Sequence, residues 1–79
     1  MNAAQCRMGR AALKLGVREL AEMAKVSPAT IVRFEAGGGA VMERTIDAIQ
    51  AALENSGVDF TDGEQPGVRL RKGAGIPPA

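Results

Sequence analysis

The run Ser27-Pro28-Ala29-Thr30-Ile31-Val32-Arg33 holds the side chains of this chain best suited to recognising a partner. A serine hydroxyl at a helix start can donate to a phosphate beside free backbone N–H groups, although Pro28 removes one such donor. One turn on, the Arg33 guanidinium has the reach and the forked donors that fit O6 and N7 of guanine, and Ala29 is small enough to touch a thymine methyl. Arg33 has two other uses, a phosphate contact or a solvated surface position. None of these groups makes or breaks bonds. The chain has no histidine and one cysteine, Cys6. That inventory excludes a Ser/His/Asp triad, a Cys/His nucleophile pair, a zinc cluster and a disulfide framework. No enzyme activity, metal or cofactor is expected.

The elements that must position these residues follow from capping and periodicity. Asn2 and Gln5 have capping-box spacing, small or apolar residues follow at Cys6, Gly9 and Leu13, and Gly16 is a natural stop, which predicts a helix over 3–15. The stretch VRELAEMAK gathers Val17, Leu20, Ala21 and Ala24 on one face of a short second helix. Ser27 is a good N-cap and Pro28 suits the first helical position, so a third helix is predicted over 28–36, stopping at Gly37-Gly38-Gly39. The short link between the second and third helices implies a steep crossing, a helix-turn-helix. By spacing, Thr30, Ile31 and Phe34 face inward, while Ser27, Pro28, Ala29, Val32 and Arg33 face out. A fourth helix repeats apolar residues at Met42, Ile46, Ile49, Ala52 and Leu53 and ends at Gly57.

Beyond Gly57 the period changes to two. Val58 and Phe60 alternate with Asp59 and Thr61, Val68 and Leu70 with Arg69 and Arg71, and GEQPG between them is turn-like. A β-hairpin is therefore predicted over 58–72, with 73–79 an aperiodic tail and 1–57 the helical domain. An isolated hairpin is marginal in water. The face Val58, Phe60, Val68 and Leu70 can lie on the fourth helix, and the free edge can pair with a second copy across a two-fold axis, which makes these four the expected dimerisation residues. The alternative is a hairpin folded on its own core in a monomer.

Composition limits the class. The 79 residues suffice for one domain near the size at which a single core is marginal, which favours a homodimer. Apolar residues make up 46% and aromatics 3%, so the core must be aliphatic. Charged residues interrupt the N-terminal stretch, and no run approaches the roughly 20 apolar residues of a membrane span; a soluble, cytoplasmic protein without membrane contact is expected. A chain this short leaves little room for a ligand domain, so no small-molecule ligand is expected. Net charge is +1, yet 1–36 carry +3, 37–67 carry −5 and 68–79 carry +3. That asymmetry suits one polyanion-facing side, and equally an ordinary mixed surface.

With these pieces in order, residues 10–55 resemble the helix-turn-helix domain shared by phage repressors, Cro proteins and the wider bacterial xenobiotic-response-element family. The resemblance is carried by RELAEMAKVSPATIVRFEAGG, in which Leu20-Ala21, Val26-Ser27, Thr30-Ile31, Glu35 and Gly37 stand where that family has its signature. It implies a mainly α, lambda-repressor-like bundle of four to five helices, here with a C-terminal hairpin outside the shared core. It also implies a double-stranded DNA target, a palindromic operator and a dimer. By the same resemblance Arg10 and Glu35 form a largely buried ion pair; otherwise they are separate solvated charges.

The sequence departs from the family at two places. Val17 stands where many members have a DNA-touching glutamine, with Gly16 in place of a capping hydroxyl, which leaves Arg18 for the phosphate contact. Pro28 and Ala29 replace long polar readers. Direct readout is sparse, so DNA shape or the loop from Gly37 to Arg44 must add specificity, Arg44 serving a phosphate or the minor groove. The glycine run is either a close approach to the DNA backbone or a flexible link. The expected interface is thus Val17, Arg18, Ser27, Pro28, Ala29, Thr30, Arg33 and Arg44. The rival expectation is a protein-interaction module, antiactivator or antitoxin-like, that uses apolar patches and the acidic segment to hold a protein partner.

Overall fold

The computed structural model describes residues 1–37 and 40–71. Gly38, Gly39, Lys72 and the expected tail over 73–79 lie outside the described residues. The chain folds into four helices, α1 (Ala3–Ala12), α2 (Val17–Ala24), α3 (Pro28–Glu35) and α4 (Glu43–Asn55), followed by strands β1 (Val58–Thr61) and β2 (Gly67–Leu70).

Local chemistry explains each boundary. Asn2 and Gln5 exchange reciprocal 2.8 Å hydrogen bonds at the start of α1, a full capping box. The helix is shorter than the expected 3–15, because it ends on Lys14 rather than Gly16. Lys14 takes a left-handed backbone with φ 56°, its N–H bonds Ala11 O at 3.0 Å, and Leu15 N–H bonds Arg10 O at 2.9 Å. That is a Schellman closure. α2 repeats it at Lys25, φ 59°, where Val26 N–H bonds Ala21 O at 2.9 Å. Gly37, φ 83°, stops α3 as its type allows.

The core is aliphatic apart from Cys6 and Phe34. Leu20 of α2, Ile31 of α3, Ile49 and Leu53 of α4 and Val58 of β1 are completely or almost completely out of contact with water. Met42 departs from its expected place on the inner face of α4: it is the N-cap residue, outside the helical periodicity, and stays exposed.

The hairpin is antiparallel, pairing Val58 with Leu70, Asp59 with Arg69, Phe60 with Val68 and Thr61 with Gly67. The strands and the loop over 62–66 between them fill 58–70 of the expected 58–72 hairpin, and Gly67, expected in the turn, already belongs to β2. The hairpin lies against α1 as well as α4, with β2 on α1 and β1 on α4. Two residues of α1 meet it there. Gln5 is buried, and its Nε2 donates to Thr61 O at 2.8 Å and Gly67 O at 3.1 Å, tying the closing pair of the hairpin to the helix. Gly9 faces the same junction, where a Cβ would stand in ordinary contact, 3.4 Å from Leu53 and 3.6 Å from Phe60 and Val58. At the far end the Arg71 guanidinium bonds Asp59 and the carbonyl of Glu54 near the end of α4.

Candidate nucleic-acid interface

The outward side of α3 is built from its first turn. Ser27 caps the helix, its Oγ accepting from Thr30 N at 3.2 Å and lying 2.8 Å from Thr30 Oγ1. One hydroxyl therefore donates to the other, and Thr30 is half-buried. Ser27, Pro28, Ala29, Val32 and Arg33 are exposed, and Arg33 has no ion pair among the described residues. Ile31 and Phe34, on the opposite side, are buried.

Beside this face runs an open cleft of about 250 Å³ between α3 and the start of α4. Ser27, Thr30 and Arg33 line one wall and Val41, Met42 and Thr45 the other. Val41 and Met42 belong to the loop from Gly37 to Arg44 expected to add specificity, though the sequence singles out neither for the interface, and Thr45 lies just beyond it. Only the short spacing from the glycine run to α4 hints that the loop returns to α3. Arg44, in the first turn of α4, is exposed but does not line the cleft. On α2, Val17 is half-buried at the first helical position and Arg18 is exposed next to it. Glu19 reaches back to accept from Gly16 N–H at 3.0 Å, so the start of α2 has a carboxylate hook although Gly16 brings no hydroxyl.

The position of α3 is fixed from behind by charge. Arg10 on α1 bonds both carboxylate oxygens of Glu35 at 2.9 Å and adds a 3.2 Å bond from Nη1 to Leu15 O. Its hydrogen bond to Glu35 raises the guanidinium above its already high ordinary pKa, so Arg10 stays charged. Arg7 donates to the Glu35 carbonyl, a second tie between α1 and the end of α3. Cys6 completes this buried cluster, with Sγ 3.4 Å from Glu35 Oε2. Burial first, then the charge of Glu35 and its hydrogen bond, push the thiol up to about 12.

Of the four hairpin residues expected at a subunit contact, Val58 is fully buried in the core and Phe60 and Val68 are half-buried. Leu70 remains 47% exposed. Among the described residues no helix is long and apolar enough to cross a membrane, and no group of three or more His, Cys, Asp or Glu side chains is arranged to hold a metal. No model of a known protein family matches the chain, and no curated protein matches it significantly.

Proposed function

We propose that the chain is a sequence-specific DNA-binding regulator of the lambda-repressor-like helix-turn-helix kind, acting in the cytoplasm as a homodimer that occludes a promoter. The observation that carries this reading is the outward face of α3, where Arg33 is exposed and, among the described residues, without an ion pair, beside small exposed residues, while Ile31 and Phe34 anchor the helix from behind. In this reading α3 enters the major groove N-terminus first and Arg33 contacts a guanine. Arg18 and Arg44, exposed at the starts of α2 and α4, serve phosphates. Sparse polar readers leave part of the specificity to DNA shape.

The test is a titration of the purified chain against the DNA upstream of its own gene, with and without competitor, at two salt concentrations. Saturable binding that survives competitor and falls with salt supports the reading. Arg33→Ala is then expected to cost about 1–3 kcal/mol and to relax preference at one base position per half-site. Weak binding lost to competitor favours a protein-interaction module instead, a reading to which the exposed Val32, Met23 and Met42 give some support.

A further inference from the structure

The outward face of α3 has a composition that narrows what it can read. Ala29, Val32 and Arg33 stand three and four residues apart and are neighbours on the helix surface, with Pro28 one turn below Val32. Val32 is 56% exposed. A β-branched side chain there adds nothing to the core and is a poorer helix former than alanine, so its methyl groups are better explained by contact with something outside the fold. The hydroxyls of Ser27 and Thr30 share one hydrogen bond at the cap, which leaves a single hydroxyl proton between them for an outside acceptor. Glu35 is held by Arg10. Among the described residues, this leaves Arg33 as the one charged side chain on that face without an ion pair.

Bases in the major groove are told apart by hydrogen-bond pattern and by the C5 methyl of thymine. A face without carboxamide or free carboxylate has no bidentate partner for adenine, and its acceptors for the amino group of cytosine are only the hydroxyls at the start of α3. What it can distinguish is a guanine, through the Arg33 fork, and a methyl group, through apolar contact. Resting on the DNA-binding reading above, we infer that Val32 is a specificity-determining residue that packs on the C5 methyl of a thymine beside the guanine contacted by Arg33. Ala29 and Pro28 form the rest of the apolar surface. Removing water from both Val32 and the methyl supplies discrimination that the missing polar readers do not.

The experiment starts with selection of binding sites from a random duplex pool by the full chain. Each thymine of the enriched site is then replaced in turn by uracil, which deletes only the methyl. One position next to the essential guanine is expected to lose about fourfold in affinity per half-site, the equivalent of one methyl withdrawn from an apolar contact. In Val32→Ala, which keeps the helix because the residue is exposed and alanine is the better helix former, that loss should fall below about twofold. Arg33→Ala should bind more weakly but keep the methyl dependence. An enriched site indifferent to uracil everywhere, or methyl dependence unchanged in Val32→Ala, overturns this inference while DNA binding stands. A pool that yields no enriched site overturns DNA reading itself, and this inference with it, and points to a protein partner for the face.

Discussion

Arg10 grips Glu35 with two parallel hydrogen bonds, Nε to Oε2 and Nη2 to Oε1, each 2.9 Å long, joining α1 to the last residue of α3. The Glu35 side chain is 8% exposed and that of Arg10 25%, so the pair is largely removed from water. Attraction in such a place is offset by the desolvation of both ions, and the pair's main effect is to penalise any change that removes one partner. Arg10→Met should therefore destabilise the fold by about 3–5 kcal/mol by stranding the carboxylate. Arg10→Met with Glu35→Leu should recover most of that loss. Urea unfolding of the parent and the two variants checks both statements; a single variant that unfolds at the parent midpoint would show that the pair holds nothing.

Cys6 supplies a pH prediction from the same cluster. Its thiol is raised from 9.0 to about 12 in the folded chain, chiefly by burial. Between those values the unfolded chain releases a proton that the folded chain keeps, so the folded state binds more protons and stability falls as pH rises. The contribution is full below pH 9 and declines by up to about 1.4 kcal/mol per pH unit towards the folded value. Cys6→Ser retains a donor for Glu35 without titrating in this range. Comparing alkaline unfolding of the two chains isolates the thiol, and parallel pH profiles would contradict the assignment. The same burial should block alkylation of Cys6 at pH 8 until the chain unfolds.

How far these elements were legible depends on whether their cause is local. The caps at Asn2 and Ser27, the proline opening α3 and the stop at Gly37 depend on neighbours within four residues, and the sequence displays them. Lys14 and Lys25 were not legible as helix ends, because tertiary packing of Leu15 and partial burial of Val26 impose a left-handed backbone on a residue type that rarely adopts it. Gln5 could be read as half of a capping box, but its bonds to Thr61 and Gly67 join residues more than fifty positions apart. Period-two alternation disclosed a two-stranded hairpin without disclosing which of its residues the bundle would cover. The apolar character of Val58 is the same whether it meets a second copy or the core.

Two backbone exchanges should stabilise the chain in opposite chemical directions. Lys25, exposed and at φ 59°, carries a Cβ in a conformation that costs a non-glycine residue about 1 kcal/mol, so Lys25→Gly should gain roughly that amount. Gly9 sits inside α1, where glycine costs about 0.5–1 kcal/mol against alanine. A methyl there would find its nearest neighbour at 3.4 Å, close but tolerable. Gly9→Ala should thus raise the thermal midpoint, whereas Gly9→Leu should lower it by driving Phe60 and Leu53 apart. A lowered midpoint for Gly9→Ala would show that α1 and the hairpin have no room to give.

The exposure pattern of the hairpin decides how a homodimer should be tested. Removing everything after Gly57 would take the fully buried Val58 out of the core, so loss of self-association in such a fragment would report unfolding rather than a lost contact. Leu70 is a cleaner probe. It is 47% exposed, lies opposite Val58 in the register and is flanked by Arg69 and Arg71. If a second copy covers the exposed half of it across a two-fold axis, each subunit gains about 0.7–1.5 kcal/mol, and the effect counts twice. Leu70→Lys removes that burial and places like charges against one another, so the dimer should weaken by at least about tenfold. Folding should be nearly unchanged, because the side chain is not part of the core. Sedimentation over a concentration series checks association, and far-ultraviolet circular dichroism checks the fold. A folded Leu70→Lys chain that sediments like the parent would place the subunit contact away from this end of the hairpin.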